Sequence, residues 1–191
     1  GMKRGDRVAT LMWNHYAHLE AYFAVPCAGG VLHTLNLRLH PDDIAYIANH
    51  ASDRLLIVDD VLFPLYEKFK DKVRFEKVVV VPLTRAAVPA GCEDYEKLVA
   101  KGKPRKLPAL KEDTPAGMCY TSGATGRPKG VVYTHRSMVL HSLATATDLG
   151  GNLDARELID TPTVNRNLTG YMQLLPGVVA AHTILPVIGL P

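Results

Sequence analysis

Over residues 7–81, short runs rich in Val, Ile and Leu alternate with stretches of helical periodicity, each separated by a brief turn signal. This alternation predicts a parallel sheet, because parallel strands need long crossovers and helices supply them. "RVATLMW" (Arg7–Trp13) reads as a buried strand. Asn14 is placed to cap a helix over "HYAHLEAYFAVPCAGG", which Gly29 and Gly30 end. "VLHTLN" reads as a second strand. Pro41, with Asp42 and Asp43 behind it, opens a helix to His50, since proline suits the first helical position and acids suit the positive end of the helix dipole. "RLLIVDD" is a third strand, "VLFPLYEKFK" a helix and "KVVVVP" a fourth strand. The expected fold class is α/β, a doubly wound and mostly parallel sheet.

A chain of 191 residues has room for one good core or two small ones. We divide it into an alternating β/α part, 1–108, and a part carrying a glycine-rich loop, 109–191. Residues 84–115 read as a surface connector, with Pro89, Pro104, Pro108 and Pro115 scattered along it and one short helix at Asp94–Ala100. Its basic cluster, "KGKPRK", has no interleaved aromatics and reads as solvated linker. The net charge of +3 gives no reason to expect nucleic acid or an anionic membrane as partner. Cys27, Cys92 and Cys119 are odd in number, far apart and in no metal-ligand spacing, so reduced thiols and a cytoplasmic setting are expected. The N-terminus lacks the apolar core of a signal peptide, and Gly1 before Met2 reads as the remnant of a removed tag. No Asp, Glu, Lys or Arg occurs from Asn167 to Pro191, but Pro176, Gly177, His182, Pro186 and Gly189 interrupt that stretch. A buried helix followed by a buried strand is expected there, not a membrane span.

The second part opens with a strand, "AGMCYTS" (Ala116–Ser122), continues into a glycine loop, and resumes with "GVVYTH" (Gly130–His135) and a helix, "RSMVLHSLATA", with Thr134 or His135 near its cap. Within "YTSGATGRPKG" (Tyr120–Gly130), Gly123 and Gly126 permit positive backbone angles and close approach of amides to a ligand. Thr121, Ser122 and Thr125 add hydroxyls, Lys129 adds a cation, and Pro128 stiffens the far end of the loop. Together these groups match a polyphosphate. A Walker A loop, G-x-x-x-x-G-K-[ST], is a different object: it opens a helix, whereas here Lys129 is followed by Gly130 and the loop runs into a strand. The competing reading is a hairpin turn rich in Gly, Ser and Thr that holds no ligand.

"YTSGATGRPKG" resembles the signature loop of the adenylate-forming superfamily, which includes acyl-CoA synthetases, nonribosomal-peptide adenylation domains and firefly luciferase. The resemblance continues through "GDRVATLMWNHYAHLEAYFAVPCAGGVLHTLN", "VVVVP" and "GVVYTHRS", and is greatest to bacterial fatty-acid-CoA ligases acting on medium or long chains. It implies the incomplete N-terminal domain of that fold and a two-step reaction: ATP and a small-molecule carboxylate, a fatty acid, give an acyl-adenylate, and coenzyme A then displaces AMP. By the same resemblance, Thr121, Ser122, Gly123, Ala124, Thr125, Gly126 and Lys129 would hold the ATP phosphates, with Lys129 and Thr121 as the catalytic groups. Mg2+ would bridge those phosphates, although no acidic residue for it is visible and no protein metal site is expected. Three departures stand out: Ala124 lacks the hydroxyl the family usually has there, Asn165 takes the place of a histidine in "TPTVNRNLTG", and Leu37 replaces a frequent proline.

The family's aromatic-Gly-x-Thr-Glu segment, its ribose-binding Asp and its mobile C-terminal domain with a catalytic lysine have no counterpart in this chain. The resemblance therefore implies a portion of a ligase that is inactive alone; the other reading is a non-catalytic remnant that dimerises or binds nucleotide weakly. A homodimer or larger species burying Asn167–Pro191 is expected in either case, because a cut sheet leaves unpaired edges. His15 and His18 read as partly exposed helix histidines and not as metal ligands, for want of a third ligand nearby. His135 reads as a structural hydrogen-bonding residue, and Cys119 and Trp13 as core residues.

Overall fold

The computed structural model describes residues 2–104, 106–121 and 126–150, with side chains described to Thr145. Its elements run β1 (Arg7–Leu11), α1 (Tyr16–Cys27), β2 (Val31–Thr34), α2 (Pro41–Ala51), β3 (Leu55–Asp59), α3 (Phe63–Glu67), β4 (Lys77–Val81), β5 (Glu93–Asp94), α4 (Tyr95–Ala100), β6 (Pro115–Thr121), β7 (Lys129–Thr134) and α5 (His135–Gly150). The strands form a sheet in the order β5-β4-β3-β1-β2-β6-β7. Every neighbouring pair is parallel except β6 with β7. The doubly wound, mostly parallel α/β fold read from the sequence is the fold observed.

The described chain falls into two compact units, residues 1–137 and 138–191. In the first, β6 is hydrogen-bonded to β2 through Leu32↔Gly117 and His33↔Met118, so the sheet runs across the 108/109 division read from the sequence. The second is described only by the helical residues Met138–Gly150. The expected self-association through Asn167–Pro191, and Asn165 itself, lie outside the described residues. Among the described residues no helix is long and apolar enough to cross a membrane.

Alternation along each strand divides the side chains between two faces of the sheet. On one, Ala9, Leu11, Leu56, Val58 and Val80 pack against Ile44, Ala45, Ile47 and Ala48 of α2 and against Phe69. On the other, Val8 and Leu32 pack against Ala21 and Val25 of α1. Burial of both faces explains why the strands read as continuous apolar runs.

Helix α2 begins at Pro41, as expected, and the His40 side chain accepts from the Asp42 N–H to cap it. It ends at Ser52, which adopts a left-handed conformation (φ 56°). The helix expected over "VLFPLYEKFK" is shorter than its pattern: a 3-10 turn at Asp60–Leu62, α3, and a second 3-10 turn at Lys70–Lys72. Pro64 explains the break, because it has no N–H and is tolerated only in a first helical turn. β5 was not foreseen; it adds two charged residues to an edge through Val79↔Glu93 and Val80↔Asp94.

Three expectations around α1 are corrected. His15, not Asn14, caps the helix, with Nδ1 accepting from the Ala17 N–H at 3.3 Å. His18 is buried, not partly exposed, because it shares the sheet-facing side of α1 with Ala17, Ala21 and Val25. Trp13 is half-buried, and its backbone N–H donates to Asp59 at 2.7 Å.

The hydrogen bonds of both histidines fix their tautomers. His18 Nδ1 faces the Trp13 carbonyl oxygen at 3.1 Å and must donate, so Nε2 accepts from the Thr10 hydroxyl at 3.1 Å. His15 Nδ1 accepts at the helix cap, so Nε2 donates to Asp59 at 2.9 Å. Both nitrogens of each ring are thus engaged in hydrogen bonds within the fold. Among the described residues no group of three or more His, Cys, Asp or Glu could hold one. The thiols of Cys27, Cys92 and Cys119 are free.

Candidate functional site

The glycine loop joins β6 to β7 as an antiparallel hairpin, closed by Thr121↔Lys129 above Tyr120↔Gly130. Residues 122–128 are too few for a crossover, so the antiparallel return follows from loop length. Since β6 runs parallel to β2, the loop emerges at the carboxyl edge of the parallel strands, where open α/β sheets place their ligands. Ser122, Gly123, Ala124 and Thr125 lie outside the described residues. Of the other expected site residues, Thr121, Gly126 and Lys129 are all exposed. Lys129 makes no ion pair among the described residues. Gly126 has φ +146° with open space where a Cβ would stand. The hairpin thus brings a hydroxyl and an ammonium to adjacent cross-strand positions, both facing solvent.

Beneath the loop lies a polar and aromatic cluster that the sequence did not disclose. Tyr120 Oη shares a 2.6 Å hydrogen bond with His50 Nδ1 on α2, and the two rings meet edge to face at 5.8 Å. Tyr46, one turn earlier on α2, lies 5.6 Å from the His50 ring and carries the Arg127 guanidinium 5.1 Å above its own centroid. Below Tyr120 at 5.2 Å is His33, which is fully buried. His33 Nδ1 donates to Asp53 at 2.7 Å, while its Nε2 has no partner among the described residues. Burial pushes the Asp53 carboxyl up, an effect partly offset by the His33 hydrogen bond. Burial likewise raises the Tyr120 phenol, so it remains protonated and able to donate to His50.

Gly130 is required by this arrangement. A Cβ there would stand 3.0 Å from two ring carbons of Tyr120 and 3.2 Å from its hydroxyl oxygen. Gly130→Ala is expected to push the ring off His50 and cost about 1 kcal/mol, the scale of one lost hydrogen bond. Urea unfolding of the variant checks this, and unchanged stability would contradict it.

At the far end of β7, Thr134 and Ser137 cap α5 reciprocally: Thr134 Oγ1 accepts from the Ser137 N–H at 3.2 Å, and Ser137 Oγ accepts from the Thr134 N–H at 2.9 Å. Thr134 is thus the cap. His135 makes a structural hydrogen bond at the start of the helix through its backbone N–H, which donates to the Thr114 carbonyl, whereas its buried Nε2 has no partner among the described residues. Cys119 is half-buried and its thiol lies 3.6 Å from the Tyr133 hydroxyl, which makes it less of a core residue than its apolar neighbours suggested.

A mostly parallel sheet with a Gly/Thr/Lys hairpin at its carboxyl edge is the arrangement that the resemblance to the adenylate-forming superfamily implied. Residues 1–164 match the model of the AMP-binding enzyme family, and the chain belongs to that family. It is 44% identical over 189 residues to a long-chain-fatty-acid–CoA ligase of Thermus thermophilus, covering 93% of this chain and 34% of that protein. It is 40% identical over 164 residues to a medium-chain-fatty-acid–CoA ligase of Ectopseudomonas oleovorans, covering 83% of this chain and 30% of that one. The chain thus spans about a third of the length of these curated relatives. Among solved structures, the anthranilate CoA ligase AuaEII in complex with anthranoyl-AMP shares the fold, with a TM-score of 0.72 at 22% identity over 78% of this chain and 29% of that one.

Proposed function

We propose that this chain supplies the phosphate-holding part of an AMP-forming fatty-acid-CoA ligase. In that reaction a carboxylate oxygen attacks the α-phosphorus of ATP, the bond to the β-phosphate oxygen breaks, and acyl-adenylate and pyrophosphate result. The thiol of coenzyme A then attacks the acyl carbon, releasing AMP and a thioester. The loop 121–129 would meet the β- and γ-phosphates, with Lys129 as the cation and Thr121, Ser122 and Thr125 as hydroxyl donors. Such donors stabilise charge that grows on the departing oxygens, and do so best when held in place beforehand. Mg2+ accompanying the nucleotide would supply further neutralising charge. The observation that carries this reading is the exposed Thr121–Lys129 pair at the mouth of the hairpin, in a chain that belongs to the AMP-binding family.

Calorimetric titration of the chain with inorganic pyrophosphate tests the reading. Lys129→Ala is expected to weaken binding by about tenfold to a hundredfold, the worth of a charge-assisted hydrogen bond. Equal heats from the two proteins would remove the loop as the phosphate site.

A further inference from the structure

The two ends of the glycine loop reach the same side of one helix. Tyr120, the last residue but one of β6, is held by His50; Arg127, two residues before β7, sits over Tyr46. Tyr46 and His50 are spaced i, i+4 and are therefore vertical neighbours on α2. The helix itself is fixed: Ile44, Ala45, Ile47 and Ala48 are buried against the sheet, and its last turn meets β6 through Ala51 and Met118.

We propose that Tyr46 and His50 are positioning residues that clamp the phosphate-holding loop at both of its ends, one turn of α2 setting the separation between them. This inference rests on the phosphate-binding reading of the loop. Neither residue is placed against the phosphates; each acts through another. His50 fixes the Tyr120 ring, which lies between His33 and Gly130, and so sets the direction in which the chain leaves β6 toward Thr121. Tyr46 draws the Arg127 guanidinium down onto its ring, and so sets the direction from which Pro128 and Lys129 return. Arg127 would otherwise stand beside Lys129 as a second mobile cation; held on Tyr46, it leaves Lys129 as the one that projects. A phenol can both donate and accept, so the Tyr120–His50 bond can form with the imidazole neutral or protonated. A loop pinned at both ends loses less freedom on taking up an anion than one pinned at neither, and that saving appears as affinity.

The test uses the whole chain, with inorganic pyrophosphate as the probe and amide hydrogen exchange as a readout independent of ligand. His50→Ala and Tyr46→Ala are each expected to weaken pyrophosphate binding by about fivefold to tenfold, the worth of one hydrogen bond or one cation–π contact. His50→Asn, which keeps a polar atom near the Nδ1 position, and Tyr46→Phe, which keeps the ring, are expected to restore binding. Without ligand, both alanine variants are expected to exchange faster at Gly126, Arg127 and Lys129 while Ile44 and Ile47 of α2 stay protected as in the wild type. If Lys129→Ala loses pyrophosphate while both alanine variants bind and exchange like the wild type, the clamp is overturned and the phosphate-site reading stands. If exchange rises equally along α2 and the sheet, the two residues serve the fold in general and the clamp is again overturned. If the wild type takes up no pyrophosphate, the phosphate-site reading falls, and exchange at Gly126, Arg127 and Lys129 alone decides the clamp.

Discussion

Asp59→Ala is expected to lower the free energy of unfolding by about 3 to 5 kcal/mol, the largest single-residue effect predicted for this fold. Asp59 ends β3 with its side chain fully buried, and it accepts from the Trp13 backbone N–H at 2.7 Å and from His15 Nε2 at 2.9 Å. Through these two bonds it joins the end of β3 to the segment between β1 and α1, and it orients the ring that caps α1. Alanine would leave both donors without their acceptor and open a small void. The cap itself would weaken, because His15 Nδ1 accepts from Ala17 only while the proton resides on Nε2. Trp13 is the sole tryptophan and adjoins the site, so its fluorescence follows the transition in urea. A lowered midpoint with an unchanged slope is the expected result; a loss below about 1 kcal/mol would show that Asp59 contributes no more than a surface residue.

The second large effect depends on pH. Burial lowers the His18 imidazole from 6.5 to about 4, against a smaller opposing pull from the Trp13 carbonyl that accepts its Nδ1 proton. The folded state therefore holds this ring neutral where the unfolded chain protonates it. Between pH 6.5 and about 4 the unfolded state binds more protons, so stability rises with pH across that window. The contribution is fully present above pH 6.5 and is lost as pH falls to about 4; it amounts to about 3 kcal/mol, the shift converted at 1.36 kcal/mol per pH unit. Asp53, whose carboxyl burial pushes up, contributes in the opposite sense at the acid end, so the comparison must be with His18→Gln. The variant is expected to show a flatter stability profile from pH 6.5 to 4 than the wild type. Parallel profiles would mean that His18 is not held neutral by the fold.

Much of the sheet was legible because its strands are buried on both sides and so announce themselves as apolar runs. Val78, Val79, Val80 and Val81 could hardly be anything else. Pro41 with Asp42 and Asp43 likewise carries its own start signal. The misreadings have particular causes. α1 has Tyr16, Leu19 and Phe23 exposed on the side away from Ala17, Ala21 and Val25, so both sides are apolar and its period could not tell which histidine would be buried. β5 is two acidic residues long and owes its place to Val79 and Val80 of β4, not to any β propensity of its own. The pattern "VLFPLYEKFK" overrode the proline inside it, whereas in the fold Pro64 limits α3 to a short segment.

In the candidate site, the residue types of the hairpin point to the proposed chemistry, since glycines, hydroxyls and a lysine suit an anion. What surrounds them was not legible. Tyr46, His50 and His33 are unremarkable in sequence, and only the pairing of β6 with β2 brings Tyr120 above them. No motif records a contact between residues 70 apart.

That separation also bears on how the protein folds. β6 and β7 are near neighbours in the chain, and an isolated hairpin of this kind closes in about 1 to 10 µs. The partners that hold its ends arrive only when a long stretch of polypeptide has been gathered in, with β2 and α2 already assembled. Long-range closure is the slow part of building such a sheet. The hairpin can thus exist well before its two ends are fastened, and the Tyr120–His50 and Arg127–Tyr46 contacts form late, among the last that the refolding chain acquires.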